Sequence, residues 1–463
     1  MRIVHLAAGA GQMYCGSCLH ANRLAAALQA AGEDVLLVPL YTPIRTDEEN
    51  VSIDRVAFGG INVYLQGRWA VFRHMPRLLD RLLDHPRLLG WVAKGGSRTR
   101  AERLGELTVS MLRGEEGRQR KELEKLLAWL KEQIRPELIH LSNVLLVGMA
   151  RELTRRLNVP VVCTLSGEDV FLDKLPEPHY GEARAVLRER AADPAALVAM
   201  NRYYAGFMAE YLAVPRERIH VIPPGLCLEG HGTRKRGQSP LTKGTVPISG
   251  TVPFSETVPF SGTVPFSGPP RERLVTIGYL ARVCPEKGLH LLAEALRLLV
   301  EDRDLPPVRL RAAGYLDQAD RPYLREIQRR LAGYGLGDRF QYVGELDRAA
   351  KIAFLQSLDL MSVPTVYRES KGLYVLEAWA NGVPVVLPAH GAFPELVEET
   401  GGGLLCEPGD PQDLAAALRR MIRDPELAAE CGRRAQQAVH QRYNTELMAR
   451  RTIELYRRVC GTQ

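Results

Sequence analysis

Two carboxylates eight residues apart, Glu369 and Glu377, flank a Gly-Leu step in the stretch ESKGLYVLEAWANGVPVV, residues 369–386. On one continuous helix that spacing covers about two turns, and both acids would share a face. Gly372 between them argues otherwise, because glycine is costly inside a helix and useful where backbone must approach a ligand. The pattern therefore predicts a loop, a helix from Leu373, a turn at Asn381-Gly382 and a strand over Pro384–Pro388. Glu369 then lies in the loop and Glu377 on the first turns of the helix. The helix N-terminus between them offers free N–H groups to a phosphate. Acids beside an anion site suit neutral hydroxyls rather than the charge itself. A ligand carrying both phosphate and hydroxyl groups fits that arrangement, and a sugar nucleotide is such a ligand.

A second stretch, IGYLARVCPEKG over Ile277–Gly288, ends a strand in a loop with Arg282 and Lys287 before a glycine and a helix. Arginine binds phosphate bidentately and lysine supplies a point charge, so the pair makes a diphosphate clamp. Taken alone, two surface cations at a domain edge are the commoner case. Pairing with Glu369 and Glu377 in the same expected sheet reverses that preference, since ligands of open α/β sheets bind at the carboxyl ends of strands.

The elements that would hold these loops form two alternating series. Apolar runs at Ile3–Ala8, Val35–Leu40, Leu138–Leu141, Val159–Leu165 and Leu197–Met200 read as buried parallel strands, with helical patterns such as Leu19–Ala31 and Val144–Leu157 between them. The second series has strands at Leu274–Leu280, Val308–Ala313, Phe340–Val343, Leu358–Val363, Val383–Leu387 and Leu404–Cys406, with helices at Leu289–Glu301, Pro322–Tyr334 and Pro411–Ile422. Such alternation predicts doubly wound α/β sheets. The expected organisation is an N-terminal domain over 1–226 with a helical insertion over about 72–133, a linker over 227–270, a second domain over 271–443 and a final helix over 444–463 that packs back on the first domain. The linker holds a six-residue TVPFS-type repeat in four copies between Gly244 and Ser267. Proline in every unit removes a sheet donor, and a solvated, disordered insertion without chemistry is the expectation.

Composition narrows the class. At 463 residues, 46% apolar and 25% charged, the chain is that of a two-domain globular protein. The net charge of +7 is not gathered into a basic block, which disfavours nucleic acid and favours anionic small ligands. No run of about eighteen apolar residues would span a membrane, and the start MRIVHLAAGAGQ does not read as a signal peptide. Eight scattered cysteines suggest reduced thiols and a cytoplasmic location.

IGYLARVCPEKG and ESKGLYVLEAWANGVPVV resemble the two signature regions of the retaining GT-B glycosyltransferases of family 4, with VIPPG at Val221–Gly225 and VGEL at Val343–Leu346 as further matches. The resemblance implies two Rossmann-like domains facing a cleft, donor held by the second and acceptor by the first. It implies that Arg282 and Lys287 hold the donor diphosphate, that Glu369 meets hydroxyls of the transferred sugar, and that the Lys371, Gly372 and Leu373 backbone meets sugar and phosphate. Glu377 would bond the ribose, and Val343 and Gly344 would lie near the base. Retention without a protein nucleophile and without a metal or other cofactor is also implied, so Glu369 is a positioning residue rather than a base. The rivals are a nucleotide-sugar epimerase-like enzyme and a catalytically silent nucleotide-sugar-binding protein.

The first half departs from the family pattern. In AGAGQMYCGSCLHAN, Gly16 is the candidate for the turn that brings backbone to the ligand. Cys15 and Cys18 form C-x-x-C at a helix start, where small residues packing a tight turn is the favoured reading and the dipole lowers the first thiol's pKa. Ser166 stands where the family often has histidine. With Glu168 and Asp169 it would line the sugar and acceptor side, the acids serving as base or as helix caps. Residues Trp69–Lys94 mix Leu, Trp and Arg. Helices packed on their own domain are favoured there over an interfacial patch for a lipid-linked acceptor and peripheral membrane association.

Overall fold

The computed structural model describes residues 1–9, 15–54, 56–58, 101–232 and 274–461. The TVPFS repeat, the Trp69–Lys94 stretch and the first part of the expected insertion, 72–100, lie outside the described residues. The rest of that insertion is helical, with helices at Ala101–Leu112 and Arg120–Trp129.

Strands β1 (Arg2–Ala7), β2 (Asp34–Pro39), β3 (Leu138–Leu141), β4 (Val161–Thr164), β5 (Ala196–Ala199) and β6 (Ile219–Val221) form one sheet in the order β2-β1-β3-β4-β5-β6. Strands β7 (Val275–Leu280), β8 (Val308–Ala313), β9 (Phe340–Tyr342), β10 (Leu360–Met361), β11 (Val385–Pro388) and β12 (Gly403–Cys406) form the other, in the order β12-β11-β10-β7-β8-β9. All pairings are parallel. Helices cover both faces, so central strands are buried on both sides; every residue of β7 is buried. The two sheets are the two Rossmann-like units expected of the sequence.

Differences from the expected elements have local causes. Leu358–Val363 reads as one strand, yet only Leu360–Met361 pairs fully, because Pro364 has no N–H to continue the ladder. Val144–Leu157 reads as one helix but begins as a 3-10 segment, Val144–Met149, around Gly148. Strand β6 carries no apolar run, since His220 interrupts it, and only pairing with β5 reveals it.

The final helix, Thr445–Cys460, lies against the Gly16–Ala30 helix and the first sheet. There Met448, Ile453 and Tyr456 join a core with Ile3, Leu24 and Leu28. Its Tyr456 hydroxyl meets His140 Nδ1 at 2.5 Å, on β3. Among the described residues no helix is long and apolar enough to cross a membrane.

In each sheet the chain order reverses once, between β1 and β3 and between β7 and β10, and the loops leaving those strands open a crevice. In the second sheet the two loops touch through Gly288. Its φ is +72°, and a Cβ there would stand 1.7 Å from the Pro364 carbonyl oxygen. Gly288→Ala should therefore destabilise by about 3 kcal/mol or more, combining left-handed strain with a backbone clash. Thermal unfolding reads this, and an unchanged midpoint would mean the loops do not pack as described.

Candidate active site

The loop after β7 and the loop before the Leu373–Ala380 helix meet at Glu369. Its Oε2 accepts from Lys287 Nζ at 2.7 Å, Tyr374 OH at 3.0 Å and Tyr367 OH at 3.1 Å, and its Oε1 from the backbone N–H of Ser370 at 3.1 Å and Lys371 at 3.2 Å. Lys287 also bonds the Tyr367 hydroxyl at 2.6 Å and lies about 5 Å over both tyrosine rings. Burial disfavours the Glu369 carboxylate, but Lys287 and then Lys371 outweigh it and hold its pKa at about 2. It is an anion at any physiological pH, unsuited to general-acid work and a weak base. Gly391 fits behind it at φ +63°, where a Cβ would stand 2.5 Å from the Glu369 backbone.

Arg282 leaves the same β7 loop with an exposed side chain, its Nε 3.3 Å from Cys284 Sγ. Gly372, φ +68°, precedes the Leu373–Ala380 helix, whose first turn holds no acid. The Gly16–Ala30 helix faces it and likewise has no acid in its first turn. A Cβ on Gly16 would lie 3.6 Å from Leu373 Cδ1 and 3.9 Å from Lys371 Nζ, so the two switch points confront each other.

Lys371 spans the gap. Its Nζ donates to Ser17 Oγ at 2.9 Å and to the Ser166 carbonyl at 2.7 Å. Asn201 Nδ2 adds a second strut to the Ser370 carbonyl at 2.7 Å, while its Oδ1 caps the Arg202–Leu212 helix. Glu395, from the other half, completes that cap by accepting from the N–H groups of Arg202 and Tyr203.

Ser166 is buried beside Ser17, with the two Oγ atoms 3.1 Å apart. Glu168 turns back onto Ser166, accepting from its N–H at 2.7 Å and its hydroxyl at 2.8 Å. Asp169 accepts from Tyr204 OH at 2.7 Å. Glu168, at the N-cap of the Asp169–Leu172 helix, makes no side-chain cap there, whereas the Asp169 carboxylate is also favoured by the backbone N–H groups of its own residue and Val170 at that helix start. Burial raises the pKa of both acids. Cys15 and Cys18 are free thiols; a hydrogen bond from Cys18 and then Lys371 favour the Cys15 thiolate against burial, while Cys18 is pushed up. Among the described residues no group of three or more His, Cys, Asp or Glu could hold a metal ion.

Glu377 lies away from Glu369 in a charge cluster that joins the two halves. Its Oε1 accepts from Arg23 Nη2 and Lys351 Nζ, each at 2.9 Å. Arg23 Nε reaches Glu48 at 2.7 Å, Arg348 reaches the same carboxylate at 3.0 Å, and Lys351 also pairs with Asp47. Burial works against the Glu377 carboxylate, yet Lys351 and Arg23 hold its pKa at about 2. Its second oxygen has no hydrogen bond among the described residues. Val343 and Gly344 follow β9, fastened to β8 and its loop by Val343 N to Ala312 O and Gly314 N to Gly344 O, both 2.9 Å.

Sequence reasoning brought together Lys287, Glu369, Gly372 and Gly16. It missed Tyr367, Tyr374, Asn201 and the partners of Glu377. Arg23 left a readable signal, a charge inside the apolar run ANRLAAAL, and is 3% exposed.

Two doubly wound sheets with facing switch points, a part-buried lysine–carboxylate pair and two glycine-opened helix N-termini define a two-domain GT-B protein. Residues 16–225 match the family model described as Glycosyl transferase 4-like domain, and residues 263–438 match Glycosyl transferases group 1. The chain belongs to this family of GT-B glycosyltransferases.

Among curated relatives it is similar to phosphatidyl-myo-inositol mannosyltransferase of Mycolicibacterium smegmatis, 31% identical over 38% of this chain and 43% of that protein. It is also similar to D-inositol 3-phosphate glycosyltransferase of Geodermatophilus obscurus, 27% identical over 64% and 62% respectively. The chain spans about two-fifths of the length of the first curated relatives it matches. Sucrose-phosphate synthase from Thermosynechococcus elongatus shares the fold with a TM-score of 0.69 at 19% identity, over 100% of both chains. Anabaena HepE in complex with UDP and glucose does so with a TM-score of 0.63 at 17% identity, over 98% of this chain and 99% of that one.

Proposed function

We propose that the protein transfers a sugar, with retention, from a nucleoside-diphosphate sugar held by the second half to an acceptor held by the first. The observation that carries this is the Lys287–Glu369 pair, fixed by Tyr367 and Tyr374 at the second switch point beside the Gly372-opened helix. Cleaving a glycosyl phosphate builds negative charge on the leaving diphosphate and positive charge on the sugar carbon. Arg282, Lys287 and the helix N-terminus answer the first, with Lys287 pre-oriented by Glu369 and Tyr367 and partly shielded from water. These cations supply the role a divalent ion plays elsewhere, and turnover in EDTA is the corresponding expectation. Glu369, a fixed anion with crowded oxygens, orients sugar hydroxyls on the donor face. Among the described residues Glu168 and Asp169 are engaged by Ser166 and Tyr204 rather than presented as a free nucleophile or base, which supports attack from the leaving-group side and hence retention. The second oxygen of Glu377 is the acceptor for a ribose hydroxyl, and Val343 and Gly344 border the base.

The acceptor is a glycan, a lipid-linked sugar or a small molecule, in cell-surface polysaccharide or glycoconjugate synthesis. Relatives named for phosphatidyl-myo-inositol, D-inositol 3-phosphate and L-malate support an acceptor with an anionic group, and others named for glycogen and 2-deoxystreptamine support an uncharged or basic one. The test is a thermal-shift screen against UDP-, GDP- and ADP-sugars. A donor at a hundred times its Kd stabilises by about 2.7 kcal/mol. Failure of all three classes to shift the protein would overturn the reading.

A further inference from the structure

Lys371 differs from the other site lysine. Lys287 pairs with Glu369, and Lys351 and Arg23 in the adjoining cluster pair with Glu377. Lys371 makes no ion pair with Asp or Glu among the described residues. Two of its three ammonium donors go to neutral partners, Ser17 Oγ and the Ser166 carbonyl. The acids on that side give their hydrogen bonds to other groups, Glu168 to Ser166 and Asp169 to Tyr204, so Lys371 acts on Glu168 and Glu369 through its charge without a direct ion pair. Burial biases both acids toward the protonated form. Two acid-free helix starts, at Gly16 and Leu373, lie close by and add to the positive potential. The Cys15 thiol responds to that potential, its ionisation favoured by Lys371 as well as by Cys18. The donor diphosphate has its own clamp in Arg282 and Lys287, and Lys287 meets Glu369 at Oε2 while the Lys371 segment meets it through a backbone N–H at Oε1.

We infer that Lys371 is a specificity-determining residue that binds a carboxylate or phosphate on the acceptor. Ser17 and Ser166 hold its ammonium at the face of the first half, with the third N–H left for the ligand. The inference rests on the proposed transferase reading and narrows its acceptor to an anionic class. A charge-assisted hydrogen bond of this kind changes affinity by about 10- to 100-fold.

The test uses the full chain saturated with whichever of UDP, GDP or ADP binds it. Calorimetric titrations with L-malate, myo-inositol 1-phosphate and neutral myo-inositol separate carboxylate, phosphate and uncharged probes. The expected result is binding of at least one anionic probe and not of myo-inositol. Lys371→Met should weaken that binding about 10- to 100-fold, and Lys371→Arg should retain most of it. Because the Lys371 segment meets the donor through its backbone, which both substitutions keep, nucleotide affinity should fall much less than anion affinity, and the unfolding midpoint reports an intact fold. The inference is overturned if no anionic probe binds the wild type, if Lys371→Met binds it equally well, or if that variant loses nucleotide to the same extent. If no nucleotide binds the wild type, the transferase reading itself fails.

Discussion

Glu369→Ala lowers kcat/KM for sugar transfer by about 10³-fold or more, the scale for removing a pre-oriented charged group from an active site. The carboxylate organises its surroundings as much as it meets substrate. Without it Lys287 keeps Tyr367 as its hydrogen-bonding partner but loses its counter-charge, and the N–H groups of Ser370 and Lys371 lose their acceptor. Lys287 and the two tyrosines then settle around the gap, and the diphosphate clamp loses its geometry. Glu369→Gln is the informative companion. It keeps the shape and one acceptor but removes the charge, so it should fall between wild type and alanine in kcat. The checks are steady-state kinetics with the donor found by thermal shift, together with the unfolding midpoint of each variant. Alanine activity within tenfold of wild type, with the fold intact, would sink the role given to Glu369.

Glu377→Ala destabilises the protein by about 3–5 kcal/mol, because it leaves Arg23 and Lys351 buried with one less counter-charge. Arg23→Ala should cost a similar amount, since it strips partners from Glu377 and Glu48 together. The two losses should be strongly non-additive, because both break one contact. Surface pairs across the cleft, such as Lys174 with Glu286, should by comparison contribute under about 1 kcal/mol.

The two buried carboxylates set an acid limit. Glu369 and Glu377 both titrate near 2 in the folded protein, below the ordinary 4.5. A carboxylate with a depressed folded pKa stabilises fully above its unfolded value and loses that contribution as pH falls through the folded one. Stability should therefore decline from about pH 4.5 toward pH 2, by on the order of 3 kcal/mol for each acid. Glu377→Gln should flatten that part of the profile. An unchanged acid limb in a chemical denaturation series would contradict the assignment.

Much of this architecture could be read from local pattern. Buried parallel strands are continuous apolar runs, and β3 and β8 fall where the runs put them. Glycines at 288 and 372 were legible as the residues that open helices after loops; that both lie in the left-handed region came from the structure. The cluster around Glu377 was illegible because its members come from three other segments: the first helix, the loop after Ile44, and the Arg348–Gln356 helix. No spacing rule relates Arg23 to Glu377 across 354 residues. Glu168 and Asp169 were legible as polar groups near the site. Their inward orientation was not, because it depends on Tyr204 from a later helix.

The sequence by itself determined the two alternating series, the loops that carry Arg282, Lys287, Glu369 and Glu377, and the family to which they belong. It could do so because strand runs, helix starts and glycine turns are written within a dozen residues. The tertiary structure alone decided which charge answers which. Glu369 and Glu377, eight residues apart, end in different environments, one on Lys287 and two tyrosines, the other on Arg23 and Lys351. Ion pairing acts through space and depends on burial, so it follows from how the two sheets face each other rather than from spacing along the chain.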